Sequence, residues 1–223
     1  MKQGYFITGT DTGVGKTWAT VALMRYFKQQ EQTVIGMKPV AAGCEWQDGQ
    51  LKNEDALLLQ ENASMLLEYR EINPYAFELP VSPHLAAKEN MVNLDVIAKA
   101  FDHLKNKADV IVVEGAGGWL APLNNQSDIE DLAKTLQLPV ILVVAIRLGC
   151  INHARLTFQS IQASGLQCAG WLAMCVTPEM LMRNENIACI RNKISAPLIG
   201  VLPYTKVSDF DCLATNIIGE KLI

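Results

Sequence analysis

The stretch GTDTGVGKT, from Gly9 to Thr17, separates an apolar run at Tyr5 to Thr8 from a segment of helical period. The run before it is rich in β-forming residues and predicts a strand. After Lys16 the apolar residues recur at the spacing of one helix face: Ala19, Ala22, Leu23, Tyr26 and Phe27. A strand, a glycine-rich turn and an amphipathic helix in this order are the context in which a phosphate-binding loop occurs.

The spacing of this loop differs from the strict pattern G-x-x-x-x-G-K-[ST], which would place a glycine where the chain has Thr10. Counted from Gly9, the loop is one residue longer. Gly13 and Gly15 let the backbone turn its N–H groups inward around phosphate oxygens, and the start of the helix adds a positive dipole end. Lys16 supplies a mobile charge, and the Thr17 hydroxyl is suited to ligate Mg²⁺. The loop therefore predicts binding of a nucleotide phosphate with magnesium.

Strand-like and helix-like segments alternate along the whole chain, which predicts crossover units on a parallel sheet. Most of the strand candidates are apolar without alternation, as strands covered on both faces should be. They are Tyr5 to Thr8, Val34 to Lys38, Val110 to Glu114, Val140 to Ile146, Ala169 to Met174 and Leu198 to Leu202. We expect an α/β, single-domain P-loop fold over residues 1–223, with a mostly parallel, doubly wound sheet and helices on both faces.

Further helices are expected from about Leu94 to Lys107 and from Ile151 onward. The stretch Met65 to Asn93 contains three prolines and is expected to form a long loop with short helical turns, the kind of insertion that often covers a site.

Composition excludes several classes of function. The formal net charge of −4 and the lack of a Lys/Arg cluster argue against a nucleic-acid surface. The longest apolar runs are too short to span a membrane, and the first residues show no signal-peptide pattern, so we expect a cytoplasmic protein. The six cysteines and three histidines lack the spacing of a metal site or a disulfide framework, and reduced thiols are expected.

The second and third expected strands also end in polar residues, and ligands gather at the carboxyl ends of strands in an open parallel sheet. Lys38, at the end of the second strand, could neutralise charge on a phosphoryl group in transfer. Glu114 ends a buried strand and precedes GAGG, which is the Walker B arrangement for holding Mg²⁺. Asp55 could be a second metal carboxylate or a helix cap.

A fourth strand end, Arg147 to Ala154, leads into a helix. The N–H groups at that helix start could bind a carboxylate, or the segment could be a plain strand-to-helix turn. Cys150 has no base or cationic partner nearby in sequence, which argues against a nucleophile.

These motifs together resemble the dethiobiotin synthetase family, and the resemblance covers nearly the whole chain. The segments that carry it, in the family's order, are GTDTGVGKT, KPVAAG, NEDALLLQ, NPYAFELPVSPHLAA, VVEGAGGWLAPL, LPVILVVAIRLGCINHA and AGWLA followed by VTP. The resemblance implies an ATP- and Mg²⁺-dependent ligase that converts 7,8-diaminononanoate and CO₂ to dethiobiotin in biotin biosynthesis. It also implies a homodimer in which the substrate carboxylate crosses to the partner subunit.

The resemblance also implies roles for individual residues. The triphosphate would contact Gly13, Val14, Gly15, Lys16, Thr17 and Trp18, with Lys16 and Lys38 holding the transferring group. The metal would be set by Thr17, Asp55 and Glu114. The nucleotide would further meet Gly115, Ala116, Gly117, Met174, Cys175, Pro203, Tyr204 and Thr205. The substrate would meet Thr12 and Ala42, and across the dimer Gly149, Cys150 and Asn152.

The chain departs from the family's pattern at three places. Ala42 stands where many members have serine, and Met174 stands where many have an asparagine that reads adenine, which leaves the base preference open. A tyrosine expected to meet the substrate carboxylate is replaced near Asn186.

Two other classes of protein share parts of this pattern. Switch-type ATPases that partition plasmids or position division machinery have a similar loop, but they carry a lysine two residues after its first glycine, where this chain has Asp11. Small-molecule kinases usually bring an arginine-rich lid over the phosphates, and the sequence shows no arginine cluster.

Overall fold

The computed structural model describes residues 3–88 and 91–222. Within them, ten strands are distributed over three sheets, and the largest is a six-stranded parallel sheet in the order β10-β9-β8-β1-β7-β2. The other two are a parallel pair, β3 with β6, and an antiparallel pair, β4 with β5. The strands are β1 Gln3–Gly9, β2 Val34–Met37, β3 Val40–Ala42, β4 Glu45–Gln47, β5 Gln50–Lys52, β6 Tyr75–Phe77, β7 Val110–Glu114, β8 Val140–Ala145, β9 Cys168–Met174 and β10 Leu198–Leu202.

The helices alternate with the strands of the large sheet, which confirms the α/β prediction. They are α1 Lys16–Gln29, α2 Glu54–Asn62, α3 Tyr69–Ile72, α4 Pro83–Ala86, α5 Leu94–Leu104, α6 Ile129–Leu136, α7 Cys150–Ala163, α8 Arg183–Lys193 and α9 Phe210–Ala214, with a final 3₁₀ turn at Gly219–Lys221.

Helices cover both faces of the large sheet because the chain winds in two directions. The crossover through α1 moves from β1 toward β2, whereas the later crossovers move from β2 through β7 and β8 to β10. Right-handed crossovers that run in opposite directions lie on opposite faces. Consistent with this, α1 packs against α2 and α9, while α5 packs against α6 and α7 against α8.

The first strand lies inside the sheet, paired in parallel with β7 on one side and β8 on the other. Its residues Tyr5, Phe6 and Ile7 are buried, as expected for an apolar strand covered on both faces. The carboxyl ends of β1, β2 and β7 are therefore neighbours, and the loop that begins at Gly9 opens between them.

The sequence predicts the six strands of the large sheet but not the two small sheets. Residues Val40 to Ala42 pair with Tyr75 to Phe77, a strand inside the stretch expected to be loop. Three-residue strands carry too little periodicity to be recognised, and they form because distant segments meet. The expected helical turns in that stretch are α3 and α4, and Glu89 and Asn90 within it lie outside the described residues.

Several element boundaries also differ from the prediction. Lys38 follows β2 rather than ending it, and α5 stops at Leu104, three residues before the expected end. In the part of the chain that the structure describes, none of the helices combines the length and the apolar character needed to cross a bilayer.

Candidate active site

A cleft of about 1070 Å³ lies at the carboxyl ends of β1, β2 and β7. The phosphate-binding loop forms one wall, and the residues after β7, from Ala116 to Ala121, form another. The segment Pro80 to Pro83 and the start of α2 also line the cleft. The cleft brings together the loop, Lys38, Asp55 and Glu114, which are far apart in sequence.

The loop enters α1 through a glycine in the left-handed conformation. Gly15 caps the helix with φ 86°, a backbone geometry that favours glycine. A Cβ atom at this position would lie 2.8 Å from Cγ of Met174, so the loop also packs closely on the end of β9. Glycine at this position therefore allows both the turn and the close approach.

Lys16 begins α1 and points back across the loop. Its Nζ atom donates to the main-chain oxygen of Asp11 at 3.0 Å, and the residue is almost fully buried. Burial, together with the nearby positive charge of Lys38, lowers the pKa of Lys16 to about 8. An ammonium group held in a loop of inward N–H groups is suited to bind polyphosphate oxygens.

Lys38 lies between two carboxylates at the floor of the cleft. Its Nζ atom is 2.6 Å from Oε1 of Glu114 and 2.8 Å from Oδ2 of Asp55. The hydroxyl of Thr17 donates to the same Oε1 atom of Glu114 at 3.0 Å. Glu114 is fully buried and Lys38 is 4 % exposed, whereas the Asp55 side chain is 40 % exposed, so solvent and ligands reach the cluster from the Asp55 side.

The charges in this cluster stabilise one another. Burial would lower the pKa of Lys38, but the carboxylates of Glu114 and Asp55 raise it above its ordinary value. Burial would raise the pKa of Asp55, but the Lys38 ammonium and hydrogen bonds from Lys38 and Thr17 hold it below its ordinary value. Lys38 is thus a permanent cation and Asp55 a permanent anion at neutral pH.

Neighbouring side chains fix the two groups that flank the cleft. Asn53 caps α2 by accepting a hydrogen bond from the Asp55 main-chain N–H at 3.1 Å, so Asp55 sits in the first turn rather than at the cap. Asn73 donates to the Lys38 carbonyl at 2.7 Å, and it accepts in turn from the Tyr69 hydroxyl at 2.8 Å. These buried contacts set the backbone from which Lys38 projects.

The residues present fit a magnesium ion. Glu114 has a second carboxylate oxygen, Oε2, that is buried and without a hydrogen-bond donor. Together with Asp55 and Thr17 it supplies a set of hard oxygen donors, which Mg²⁺ prefers. In the described residues no group of three or more His, Cys, Asp or Glu side chains lies together, and Mg²⁺ commonly takes only one or two carboxylates, with phosphates and water completing its shell.

Several residues named from the sequence lie outside the lining of this cleft. Gly149, Cys150 and Asn152 are at the start of α7, where the Cys150 thiol is buried and lies 3.8 Å from the side-chain oxygen of Asn186. The group at the ends of β9 and β10 comprises Met174, Cys175, Pro203, Tyr204 and Thr205, and Met174 lies against the loop at Gly15. Their proposed contacts stay predictions.

At two of the predicted nucleotide-binding positions, part of the residue is already used in contacts within the protein. Val14 is fully buried and packs on Gly9, so any ligand contact there would use its backbone. Gly115 donates its N–H to the Ile7 carbonyl at 2.9 Å and continues the sheet. By contrast Thr12, Trp18, Ala42, Ala116 and Gly117 all line the cleft.

Two features of the site are not predicted from the sequence. Pro80, Val81 and Ser82 line the cleft, and the only signal was that a proline-rich insertion often covers a site. The second feature is an ion pair between Arg147 and Asp11, 136 residues apart, for which the sequence carries no signal because the two meet only when β1 and β8 pair.

The fold and the cleft define an α/β protein of the P-loop class. A family model described as an AAA domain matches residues 3–210. Among solved structures, the MinD cell division protein of Aquifex aeolicus is similar in fold, with a TM-score of 0.62 and 17 % identity over 98 % of this chain and 95 % of that one.

Curated relatives share far more of the sequence. The ATP-dependent dethiobiotin synthetase BioD of Xanthomonas oryzae pv. oryzae (strain PXO99A) is 48 % identical over 202 residues, 90 % of each chain. The protein of the same description from Nitrosospira multiformis is 47 % identical over 211 residues, 94 % of this chain and 92 % of that one. The chain belongs to the dethiobiotin synthetase family, and this membership makes it an ATP-dependent ligase.

Proposed function

We propose that this chain, acting as one domain over residues 1–223, joins 7,8-diaminononanoate and CO₂ to form dethiobiotin in the cytoplasm. The observation that carries the proposal is the convergence of Lys16, Lys38 and two carboxylates in one cleft under a phosphate-binding loop. The cleft has room for a triphosphate beside a small aliphatic diamine, because its volume is at the upper end of the range for small-molecule sites.

The proposed reaction has three steps. One amine of the substrate adds to CO₂ and loses a proton, which gives a carbamate. A carbamate oxygen attacks the γ-phosphorus of ATP, and the bond to the bridging oxygen breaks with release of ADP. The second amine attacks the carbonyl carbon of this carbamic-phosphoric anhydride, and phosphate leaves as the ring closes and a proton is lost.

The loop from Gly13 to Trp18 holds the triphosphate in this proposal. Its inward N–H groups and the Lys16 ammonium contact phosphate oxygens, and Lys38 balances the charge that spreads over the group in transfer. Magnesium, held by Thr17, Asp55 and Glu114, would supply charge neutralisation between the phosphates. The substrate end of the cleft is formed by Thr12 and the backbone at Ala42.

The nucleotide's base and sugar are assigned to a second group of residues. We propose that the ends of β9 and β10, at Met174, Cys175, Pro203, Tyr204 and Thr205, surround them. The segment Gly115 to Gly117, which follows β7 on the other side of β1, would meet the nucleotide at the cleft itself. Met174 contacts the loop at Gly15, which supports a position next to the triphosphate. A thioether offers no strong hydrogen bond to a base, so this chain is expected to discriminate weakly among nucleoside triphosphates.

A homodimer would complete the site. Exposed leucines support a partner at this end of the molecule: Leu148 is 95 % exposed, and Leu120 and Leu156 at the cleft are 58 % exposed each. Exposed apolar side chains beside a cleft are typical of an interaction surface. We propose that Gly149, Cys150 and Asn152 bind the substrate carboxylate in the cleft of the partner subunit.

Product analysis tests the proposal. Purified protein is incubated with the diamine, bicarbonate, magnesium and each nucleoside triphosphate in turn, and the cyclic urea is sought by mass spectrometry. If bicarbonate carries heavy oxygen, one labelled oxygen should appear in the released phosphate, because the anhydride keeps its carbamate oxygen on phosphorus when the ring closes.

Omission experiments separate the alternatives. A ligase releases phosphate only when both the diamine and bicarbonate are present. Phosphate release that needs neither would indicate a switch ATPase, and a phosphorylated product that never cyclises would indicate a kinase.

A further inference from the structure

An ion pair joins the phosphate-binding loop to the turn after β8. The Arg147 guanidinium lies 2.9 Å from Oδ2 of Asp11, and the two side chains are 44 % and 54 % exposed. Arg147 follows β8, which is the direct neighbour of β1 in the sheet. The pair therefore spans two adjacent strand ends beside the cleft, and Asp11 itself lines the cleft.

Asp11 makes three contacts that organise the first half of the loop. Its Oδ2 atom accepts from Arg147, and its Oδ1 atom accepts from the main-chain N–H of Thr12 at 2.7 Å. Its main-chain oxygen accepts from Lys16 at 3.0 Å. Arg147 thus fixes the residue that holds the Lys16 ammonium.

The charge of Asp11 is a problem for a loop that binds an anion. A carboxylate at the edge of a triphosphate site repels the phosphates, unless a cation compensates it. The compensating cation at this position is Arg147, which comes from another part of the chain. An exposed ion pair of this kind contributes little to the stability of a fold. We therefore expect its main effect to be on ligand binding at the loop.

We propose that Arg147 is a positioning residue for nucleotide binding, which compensates the Asp11 carboxylate and holds the loop so that Lys16 faces the phosphates. The inference rests on the proposed binding of the triphosphate at this loop. It adds a residue outside the cleft lining, and it explains how an acid can be tolerated inside a polyphosphate loop.

The test compares the ATP affinity of four proteins: wild type, Arg147→Met, Asp11→Asn and the double variant. Binding is measured by calorimetry in the presence of magnesium, at low and at high salt. Arg147→Met should weaken ATP binding roughly threefold to fivefold at low salt, as expected for loss of one exposed charge interaction. The double variant should return to within about twofold of wild type, because the carboxylate that needed compensation is gone.

Three further results should accompany this pattern. The defect of Arg147→Met should shrink as salt rises, because exposed charges are screened. Arg147→Lys should bind ATP nearly as well as wild type. The unfolding midpoint of Arg147→Met should be unchanged, which a merely structural role would not predict.

A matched control is available on α5. Lys105 forms an ion pair with Asp102, and the two side chains are 45 % and 62 % exposed, which is similar to the Arg147–Asp11 pair. The pair lies at the end of the helix that precedes β7, and therefore at the amino ends of the strands, away from the cleft. Lys105→Met removes the same kind of charge there and should leave ATP affinity unchanged at every salt concentration.

The outcomes that would overturn the proposal are distinct. Wild-type affinity in Arg147→Met contradicts it directly. If the double variant remains as weak as Arg147→Met, Arg147 acts on the nucleotide without Asp11, and the compensating role is wrong. If the wild-type protein itself does not bind ATP, the assignment of the loop falls together with the inference.

Discussion

Lys38 illustrates how a single buried ammonium organises this site. Desolvation of a charged group costs several kcal/mol, and the cost is offset only where close partners complete the arrangement. Glu114 and Asp55 provide such partners at 2.6 and 2.8 Å. The same electrostatics that holds Lys38 charged makes it available to a phosphoryl group at any physiological pH.

The Lys38→Ala variant tests both consequences of this arrangement. We expect turnover to fall by roughly a hundredfold or more, because a cation that acts on the transferring group is lost, while nucleotide binding survives. We also expect the free energy of unfolding to fall by about 3 kcal/mol, because the buried Glu114 charge is left uncompensated. Steady-state kinetics, calorimetry and urea unfolding measure the three quantities.

The double variant Lys38→Ala/Glu114→Gln is the control for the stability effect. It should recover much of the lost unfolding free energy without recovering turnover. Near-normal turnover in Lys38→Ala would refute the role of Lys38 in phosphoryl transfer.

Glu114 is predicted to be a ligand of magnesium. In Glu114→Gln one carboxylate charge is removed from the oxygen donor set, so the magnesium concentration for half-maximal activity should rise by roughly tenfold or more. Glu54→Gln makes the same chemical change at an exposed acid that also lines the cleft, and it should leave the magnesium titration unaltered. Identical titrations of both variants would argue against ligation by Glu114.

The ionisation of Lys16 makes the free energy of unfolding of the protein depend on pH. Its pKa is lowered from 10.5 to about 8 in the folded protein. Between these values the unfolded chain binds more protons at this position, so the contribution of Lys16 to stability improves as pH rises through that range. Below pH 8 its charged, desolvated form costs about 3 kcal/mol.

Without nucleotide, Lys16→Met should therefore be more stable than wild type at pH 7, and the advantage should fade toward pH 10. Urea unfolding at both pH values measures it. Lys206→Met, at an exposed position, should show no such pH-dependent difference. An advantage of Lys16→Met that persists at pH 10 would show that burial does not lower this pKa.

At the scale of elements, the junction of the loop with α1 depends on its contact with β9. Gly15 needs both its positive φ angle and the absence of a side chain against Met174. Gly165, after α7, has a similar φ of +81°, but no atom lies within 4 Å of the Cβ it would carry. Comparing the same substitution at the two glycines therefore separates the cost of backbone strain from the cost of a steric clash.

Gly165→Ala should cost about 1–2 kcal/mol of unfolding free energy, which is the expected penalty for a left-handed alanine. Gly15→Ala should cost more and should weaken ATP binding, because the new methyl group meets Met174. Met174 is buried, so Met174→Ala is destabilising by itself and serves as the reference. Adding Gly15→Ala to Met174→Ala should cost only as much as Gly165→Ala costs in the wild type. Equal costs for the two single variants would exclude a steric contribution from Met174.

The elements also show what a sequence can and cannot reveal. The glycine spacing around Lys16, the apolar run ending at Glu114 and the position of Lys38 are local patterns, and they were enough to predict the large sheet and the centre of the site. The pairing of β3 with β6 and the Arg147–Asp11 contact depend on which segments meet in three dimensions. The sequence did not decide whether Asp55 is a metal ligand or a helix cap, because its position in the first turn depends on Asn53 acting as the cap.

At the scale of the whole molecule, the proposed homodimer makes a prediction by complementation. If the cleft of one subunit uses Lys38 of its own chain and Asn152 of its partner, Lys38→Ala and Asn152→Ala homodimers are both impaired. A mixed dimer then contains one cleft with both residues intact. Activity should therefore reappear when the two variants are unfolded together and refolded as a mixture.

The exposed leucines supply the control for this experiment. Leu148→Asp should weaken association, measured by sedimentation, and should abolish the recovery of activity. Leu66→Asp, at a fully exposed leucine after α2 near the start of β2, should change neither. If both impaired variants are dimers and their mixture stays inactive, the carboxylate does not cross between subunits.

The inner position of β1 has a consequence for biosynthesis. This strand is translated before the other strands of its sheet, and its two hydrogen-bonded neighbours, Val110–Glu114 and Val140–Ala145, follow more than a hundred residues later. Until then both of its edges lack their native partners, a state that invites association between nascent chains. Chaperone capture of ribosome-bound intermediates should accordingly end only once Ala145 has cleared the exit tunnel.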